Sequence, residues 1–226
     1  MIYLENIFIC LTAPLLIAFF LLQGETKRFI GFFCSGIIAF LLSAYVNSFF
    51  SAALIDYGHA GMTAEQIMIQ ITPICEEALK ALPVFLFVAV TSPKAEKIVA
   101  VSLAAGLGFA TFENICYITQ QGAGDFFFAL IRGFSAGVMH AVCAAILGYG
   151  LVLMYRHRRM AIPGAFALLC VTSTFHGIYN LLVSGNGAIQ TVGYFMPLIT
   201  AAVILLFIVW CKDLPPRGTN KEGVIL

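Results

Sequence analysis

The chain has 226 residues, of which 61% are hydrophobic and only 10% charged, and its formal net charge is +1. Soluble domains carry about 25% charged residues, so the composition excludes an ordinary soluble domain and predicts one polytopic membrane domain in the lipid bilayer. The near-neutral balance argues against nucleic acid as a partner.

Seven apolar segments read as helices, over about residues 3–22, 29–55, 65–91, 97–119, 126–154, 162–183 and 189–211. Each is long enough to cross about 30 Å of hydrocarbon at 1.5 Å per residue. The first lacks a basic N-terminal flank and a small-residue cleavage site, which predicts a retained helix and not a signal peptide. The expected fold is all-α: a single transmembrane domain over residues 1–211, with about seven spans. A flexible tail follows over 212–226, marked by Pro215, Pro216 and Gly218.

The connections sort by charge. Lys27 and Arg28 follow the first segment, Lys94 and Lys97 the third, and Arg156, Arg158 and Arg159 the fifth, while the tail has Lys212, Arg217 and Lys221. The connections around Asp56 to Thr63, Gln120 to Asp125 and Ser184 to Ala188 have no Lys or Arg. Under the positive-inside rule this alternation places the N-terminus outside and the C-terminus in the cytoplasm.

Seven cysteines are scattered one per apolar segment without a C-x-x-C pair. They predict small buried side chains and no disulfide framework; Cys75, beside Glu76, is the one placed to act as a nucleophile.

The informative residues are the ionisable ones inside the apolar segments, because a charge at the bilayer centre costs on the order of 3 kcal/mol or more. The third segment carries Glu76, Glu77 and Lys80. Lys80 is three residues from Glu77 and four from Glu76, so it shares their helix face and compensates one charge. Pro73 removes a helical hydrogen bond one turn earlier. The fourth segment has Gly106 and Gly108, suited to close helix approach, then Glu113 and Asn114. Glu113 suits an acid, a metal ligand or a partner for Arg132. The fifth segment has Arg132, His140 and the close-packing pattern Gly133-x-x-x-Gly137. The sixth has His176 and Asn180, four residues apart on one face. A proton-active ring and an amide at one point suit stabilisation of an oxyanion. Glu77, Glu113, His140 and His176 all lie 14–16 residues from the proposed cytoplasmic ends of their helices, roughly 21–24 Å at helical rise. The common depth predicts one polar site in the outer half of the membrane.

Four short patterns occur in order: Glu76-Glu77-x-x-Lys80, Phe109-x-x-x-Glu113-Asn114, His140 with Gly148 after it, and Phe175-His176-x-x-Tyr179-Asn180. Together they resemble the motifs of PrsW-type intramembrane proteases, a group related to the type II CAAX prenyl endopeptidases and the ABI proteins. The resemblance covers roughly residues 70–183. It implies a glutamate-type protease of the bacterial cell membrane that cleaves a single-span membrane protein, such as an anti-sigma factor. Carried over, Glu76 would activate water and Glu77 would pair with Lys80. His176 and Asn180 would stabilise the oxyanion, and His140 would complete the site. Glu113 stands where the prenyl endopeptidases have His, as it does in PrsW-like proteins, which argues against prenylated substrates. No cofactor is expected on this reading.

Two rivals remain open at this stage. In a zinc protease, Glu113, His140 and His176 would be ligands and a glutamate of the third helix the base, although the chain has no H-E-x-x-H. In a proton-coupled transporter the buried Glu and His groups would form a relay. The lack of an internal repeat weighs against that reading. The last helix has no lysine for a retinal Schiff base.

Overall fold

The computed structural model describes residues 23–56, 63–117, 119, 126–155 and 161–213. The proposed helix over 3–22, the tail beyond 213, and His59 and His157 lie outside them. The described residues form helices α1 (Gly24–Asp56), α2 (Ala64–Gln70), α3 (Thr72–Thr91), α4 (Ala95–Tyr117), α5 (Phe126–Tyr155), α6 (Ala161–Val183) and α7 (Ala188–Asp213), with no strand among them. The all-α expectation is met. Five helices (α1, α4, α5, α6 and α7) are long and apolar enough to cross a membrane. The 20-residue α3 has the length as well, but it carries Glu76, Glu77 and Lys80. It buries those three and turns Ile74, Leu82, Leu86 and Val90 outward, so its charges face protein and its apolar side faces out.

The sequence predicts one helix over 65–91; the structure divides it at Ile71. A capping box starts α2. The Thr63 hydroxyl accepts the Gln66 N–H at 3.2 Å, and the Gln66 side chain accepts the Thr63 N–H at 2.8 Å. After the seven residues of α2 comes Ile71 (φ −99°, ψ −46°), and Pro73 stands in the first turn of α3. Proline has no N–H, so the Ile69 carbonyl loses its helical donor and the chain restarts as a second helix. Gly177 of α6 packs here; a Cβ on it would stand 3.0 Å from that carbonyl.

Glycines also set the α1–α4 and α4–α5 crossings. A Cβ on Gly36 would overlap the carbonyl oxygen of Ala105, and one on Gly108 the carbonyl oxygen of Phe33. One on Gly106 would lie 2.6 Å from the Ala144 Cβ and 3.0 Å from the His140 carbonyl. Backbones this close leave no room for any side chain between them. The pattern Gly133-x-x-x-Gly137 is different. Among the described residues, no atom lies within 4 Å of a Cβ placed on Gly133, and the Gly137 position meets Asn114 Nδ2 at 3.7 Å. The aromatic core beside the site is edge-packed: Phe40 of α1 meets Phe109 and Phe112 of α4 with ring centroids 5.3 and 5.4 Å apart.

Candidate active site

Four helices deliver polar side chains to one place. Glu76, Glu77 and Lys80 come from α3, Glu113 from α4, His140 from α5 and His176 from α6, and none is more than 7% exposed. The group sequence analysis placed at a common depth is therefore brought together. In lipid, polar groups on neighbouring helices gain most by finding one another, because no solvent competes for them.

The contacts run as a chain. Lys80 Nζ donates to Glu77 Oε1 at 2.5 Å and lies 2.8 Å from His140 Nδ1. An ammonium only donates. Lys80 therefore donates to the Nδ1 lone pair, and the proton of a neutral His140 ring sits on Nε2. From there it is donated to Glu113 Oε2, its hydrogen-bond partner. On the other side, His176 Nδ1 is 2.9 Å from Glu77 Oε1. A carboxylate accepts, so Nδ1 is the donor there and a neutral His176 ring leaves its Nε2 lone pair toward Glu76 Oε2, 3.7 Å away. Two acceptors facing across that gap suit a shared donor, such as a water molecule, or a cation. The two imidazoles stand edge to face with centroids 5.1 Å apart. Phe109 closes the inner wall, its ring centroid 4.4 Å from Lys80 Nζ and 4.9 Å from the centre of the His140 ring.

A cavity of about 350 Å³ opens on this cluster. Glu76, Glu113, His176, Tyr179 and Asn180 form its polar lining, and Tyr117 and Tyr194 stand among its other walls. Glu77, Lys80 and His140 are set behind it. Asn180 is half-buried and donates from Nδ2 to the Met68 carbonyl at 3.4 Å, which ties α6 to α2 just before the break. One of its two N–H bonds is thus engaged and the other remains for a ligand.

Some residues singled out in the sequence lie elsewhere. Asn114 is half-buried against α5, and its Oδ1 is buried without a hydrogen-bond partner among the described residues. The Arg132 side chain lies outside the described residues, so its expected pairing with Glu113 does too; among the described residues Glu113 bonds His140. Cys75 is half-buried and is not part of the cavity wall. The structure adds groups the sequence reading gave no role. Ser135 Oγ donates to the Tyr179 hydroxyl at 3.0 Å, joining α5 to α6. The Cys143 thiol lies against Glu77 and within 3.6 Å of the Thr172 carbonyl. The signal for both was spacing: Tyr179 follows His176 by three residues and Cys143 follows His140 by three, the separation of neighbours on one helix face.

The family model for PrsW family intramembrane metalloproteases matches residues 25–210. The chain belongs to the PrsW family. No curated protein and no solved structure matches it. As a PrsW family member it is a multi-pass membrane protein of a protease family.

The family's description raises the question of a metal, and a donor set converges for one, with His140 giving up its bond to Lys80 or to Glu113 in order to ligate. Glu76, His140 and His176 are all buried, and each offers one ligand atom within 4.8 Å of the others. Two imidazoles and a carboxylate suit zinc. Glu77 behind His176 reproduces the carboxylate–histidine support common at metal sites. Sequence analysis expected no cofactor and left zinc open with Glu113 as the third ligand. In the structure it is Glu76 that converges with the two histidines, while Glu113 holds His140.

Proposed function

We propose that this PrsW family protein is a multi-pass endopeptidase of the bacterial cell membrane that hydrolyses a peptide bond of a single-span membrane protein. An anti-sigma factor is the substrate type implied by the resemblance. Glu76 accepts a proton from the attacking water at the cavity floor. Glu77, bound to both Lys80 and His176, fixes the His176 ring so that Nε2 points at the reacting atoms. The second N–H of Asn180 faces the developing oxyanion, and His176 joins it as a donor when Nε2 is protonated while Nδ1–H stays on Glu77, in a low-dielectric site where such donors are worth more than in water. Glu113 stands in the cavity wall with His140 bonded behind it, and this second proton-transfer pair, or Glu76 returning the proton it took from water, protonates the amine that leaves as the C–N bond breaks. The observation that carries this reading is the 3.7 Å gap between Glu76 Oε2 and His176 Nε2, open to a cavity that also has Asn180 and Glu113 in its wall.

A second reading, favoured by the convergence of Glu76, His140 and His176, is that these three hold a zinc ion. The ion would supply Lewis acidity and a more acidic water. Glu113 then remains as the carboxylate next to the site.

The seven-span topology belongs to the same proposal, with the N-terminus outside and the C-terminus cytoplasmic. The cavity is supported as outward-facing because its wall includes Ser184 and Tyr117, next to connections without Lys or Arg. The domain is taken as 1–211 and the tail as 212–226.

The test is cleavage of a co-expressed single-span substrate by the wild type and by Glu76→Gln, Glu77→Gln and His176→Ala at matched protein levels. Product from the wild type that is lost in Glu76→Gln and His176→Ala supports the assignment; persistence in both overturns it. Chelation followed by zinc restoration, with bound zinc measured, separates the two readings. Zinc at one per chain that is lost in His176→Ala favours the second, and cleavage unaffected by a chelator favours the first.

A further inference from the structure

The opposite end of the bundle has a second built site. Two cavities meet there and share Arg28 and Phe87 in their walls. One, of about 300 Å³, is polar and basic, lined by Arg28, Thr91, Ser92, Lys94 and Lys97. The other, of about 500 Å³, runs between α1 and α3 and is lined by Lys27, Gly31, Phe32, Ser35, Pro83 and Phe87. It is more apolar than the first and lies along the flank of the helices. The polar cavity caps the groove at the end of the bundle.

Charge is concentrated at the cap. Glu25 binds both Arg28 and Lys97, the latter at 2.9 Å, and so holds two cations side by side while neutralising one. Lys94 adds a further cation in the same wall. The N-termini of α1 and α4 end here beside the C-terminus of α3, so the positive potential comes chiefly from the basic side chains and only in part from helix dipoles. Arg28 lies over the Phe87 ring, 5.8 Å from its centroid, and Phe32 meets the same ring edge-on at 5.2 Å. The cationic pocket and the apolar groove are therefore joined through one aromatic side chain. Ser92 takes a left-handed backbone (φ 48°), where glycine would be easier. The serine keeps a hydroxyl in the basic wall.

A basic cap continuous with an apolar groove between membrane helices fits an amphiphile with an anionic head. We propose that this end of the protein binds an anionic phospholipid, with the phosphate between Arg28, Lys94 and Lys97 and an acyl chain along Phe32, Pro83 and Phe87. The site is separate from the Glu76–His176 cavity and needs nothing from the hydrolytic reading. Charge complementarity selects the headgroup, and the groove distinguishes a lipid from a free phosphate.

The experiment uses the full chain purified in a neutral detergent. Native mass spectrometry and thermal unfolding are read during titration with phosphatidylglycerol, with phosphatidylcholine of the same acyl chains, and with inorganic phosphate. Retained phosphatidylglycerol adducts and a raised melting temperature are expected, with neither effect from the other two. The variant R28Q/K94Q/K97Q should weaken phosphatidylglycerol binding at least about tenfold, whereas R28K/K94R should retain it. Gly31→Leu, which obstructs the groove and keeps every charge, should also weaken binding and guards against a triple variant that fails to fold. Equal binding of the two lipids, or phosphatidylglycerol binding unchanged in both the triple variant and Gly31→Leu, overturns the proposal. Inorganic phosphate matching phosphatidylglycerol also overturns it and reduces the site to one for small anions.

Discussion

Lys80 is the residue on which the buried charges depend. It bonds Glu77, contacts His140 and covers the Phe109 ring. Removing one member of a buried ion pair leaves its partner uncompensated, at a cost of about 3–5 kcal/mol. Lys80→Met should therefore lower the unfolding temperature in detergent sharply, and cleavage should fall with the folded fraction. Glu76 is different: it lines the cavity, whereas Glu77 sits behind it bonded to Lys80 and His176. Glu76→Gln should leave thermal stability nearly unchanged and reduce cleavage by at least about 10²-fold; equal destabilisation by Glu76→Gln and Glu77→Gln would refute this division of labour. The sequence showed which ionisable groups meet, since their shared depth needed only a count along each helix. It did not show which nitrogen of which histidine faces which carboxylate. That depends on helix rotation and on the reach of Lys80, neither of which periodicity reports.

At the scale of elements, the break at Ile71 and the glycine crossings do the positioning. Pro73 was visible as a disturbance, yet the apolar run hid the division into α2 and α3, because both pieces remain apolar on one side. Pro73→Ala restores an N–H and favours one continuous helix. It should shift the Asn180–Met68 contact and lower cleavage more than stability, which a paired assay of product and melting temperature would detect. The glycines divide. Gly106 and Gly108 make the close approach expected of them and Gly36, not singled out in the sequence, does the same, whereas Gly133-x-x-x-Gly137 has the familiar spacing but, among the described residues, open space at Gly133. Gly108→Ala should cost at least about 1–3 kcal/mol through overpacking. Gly133→Ala should be neutral or stabilising by up to about 1 kcal/mol from helix propensity. Thermal unfolding of the two variants side by side decides between pattern and packing.

Across the whole molecule, hydropathy conveyed the all-α membrane architecture, because lipid leaves few alternatives to helices. It overstated the evidence for a uniform set of spans, since α3 takes its place by burying charges against its neighbours and not by being apolar throughout. The topology has its own check. In a variant whose native cysteines are replaced, Ser184→Cys should react with a membrane-impermeant maleimide added to intact cells, and Lys94→Cys only after the membrane is opened. The reverse pattern would invert the proposed orientation.

The backbone contacts at Gly36 and Gly108 have a mechanical corollary. Helices α1 and α4 meet where a single added methyl would collide with a carbonyl, so neither can slide or roll against the other without parting. Whatever motion admits a substrate has to come from the other flank. There, α7 leans chiefly on α5 and α6, and the seven-residue α2 is tied to α6 by the long amide contact from Asn180 and by the packing of Gly177 on Ile69. The protein is thus divided into a fixed frame and a loosely hung side, and amide hydrogen exchange should be slowest in α4 and fastest in α2 and α7.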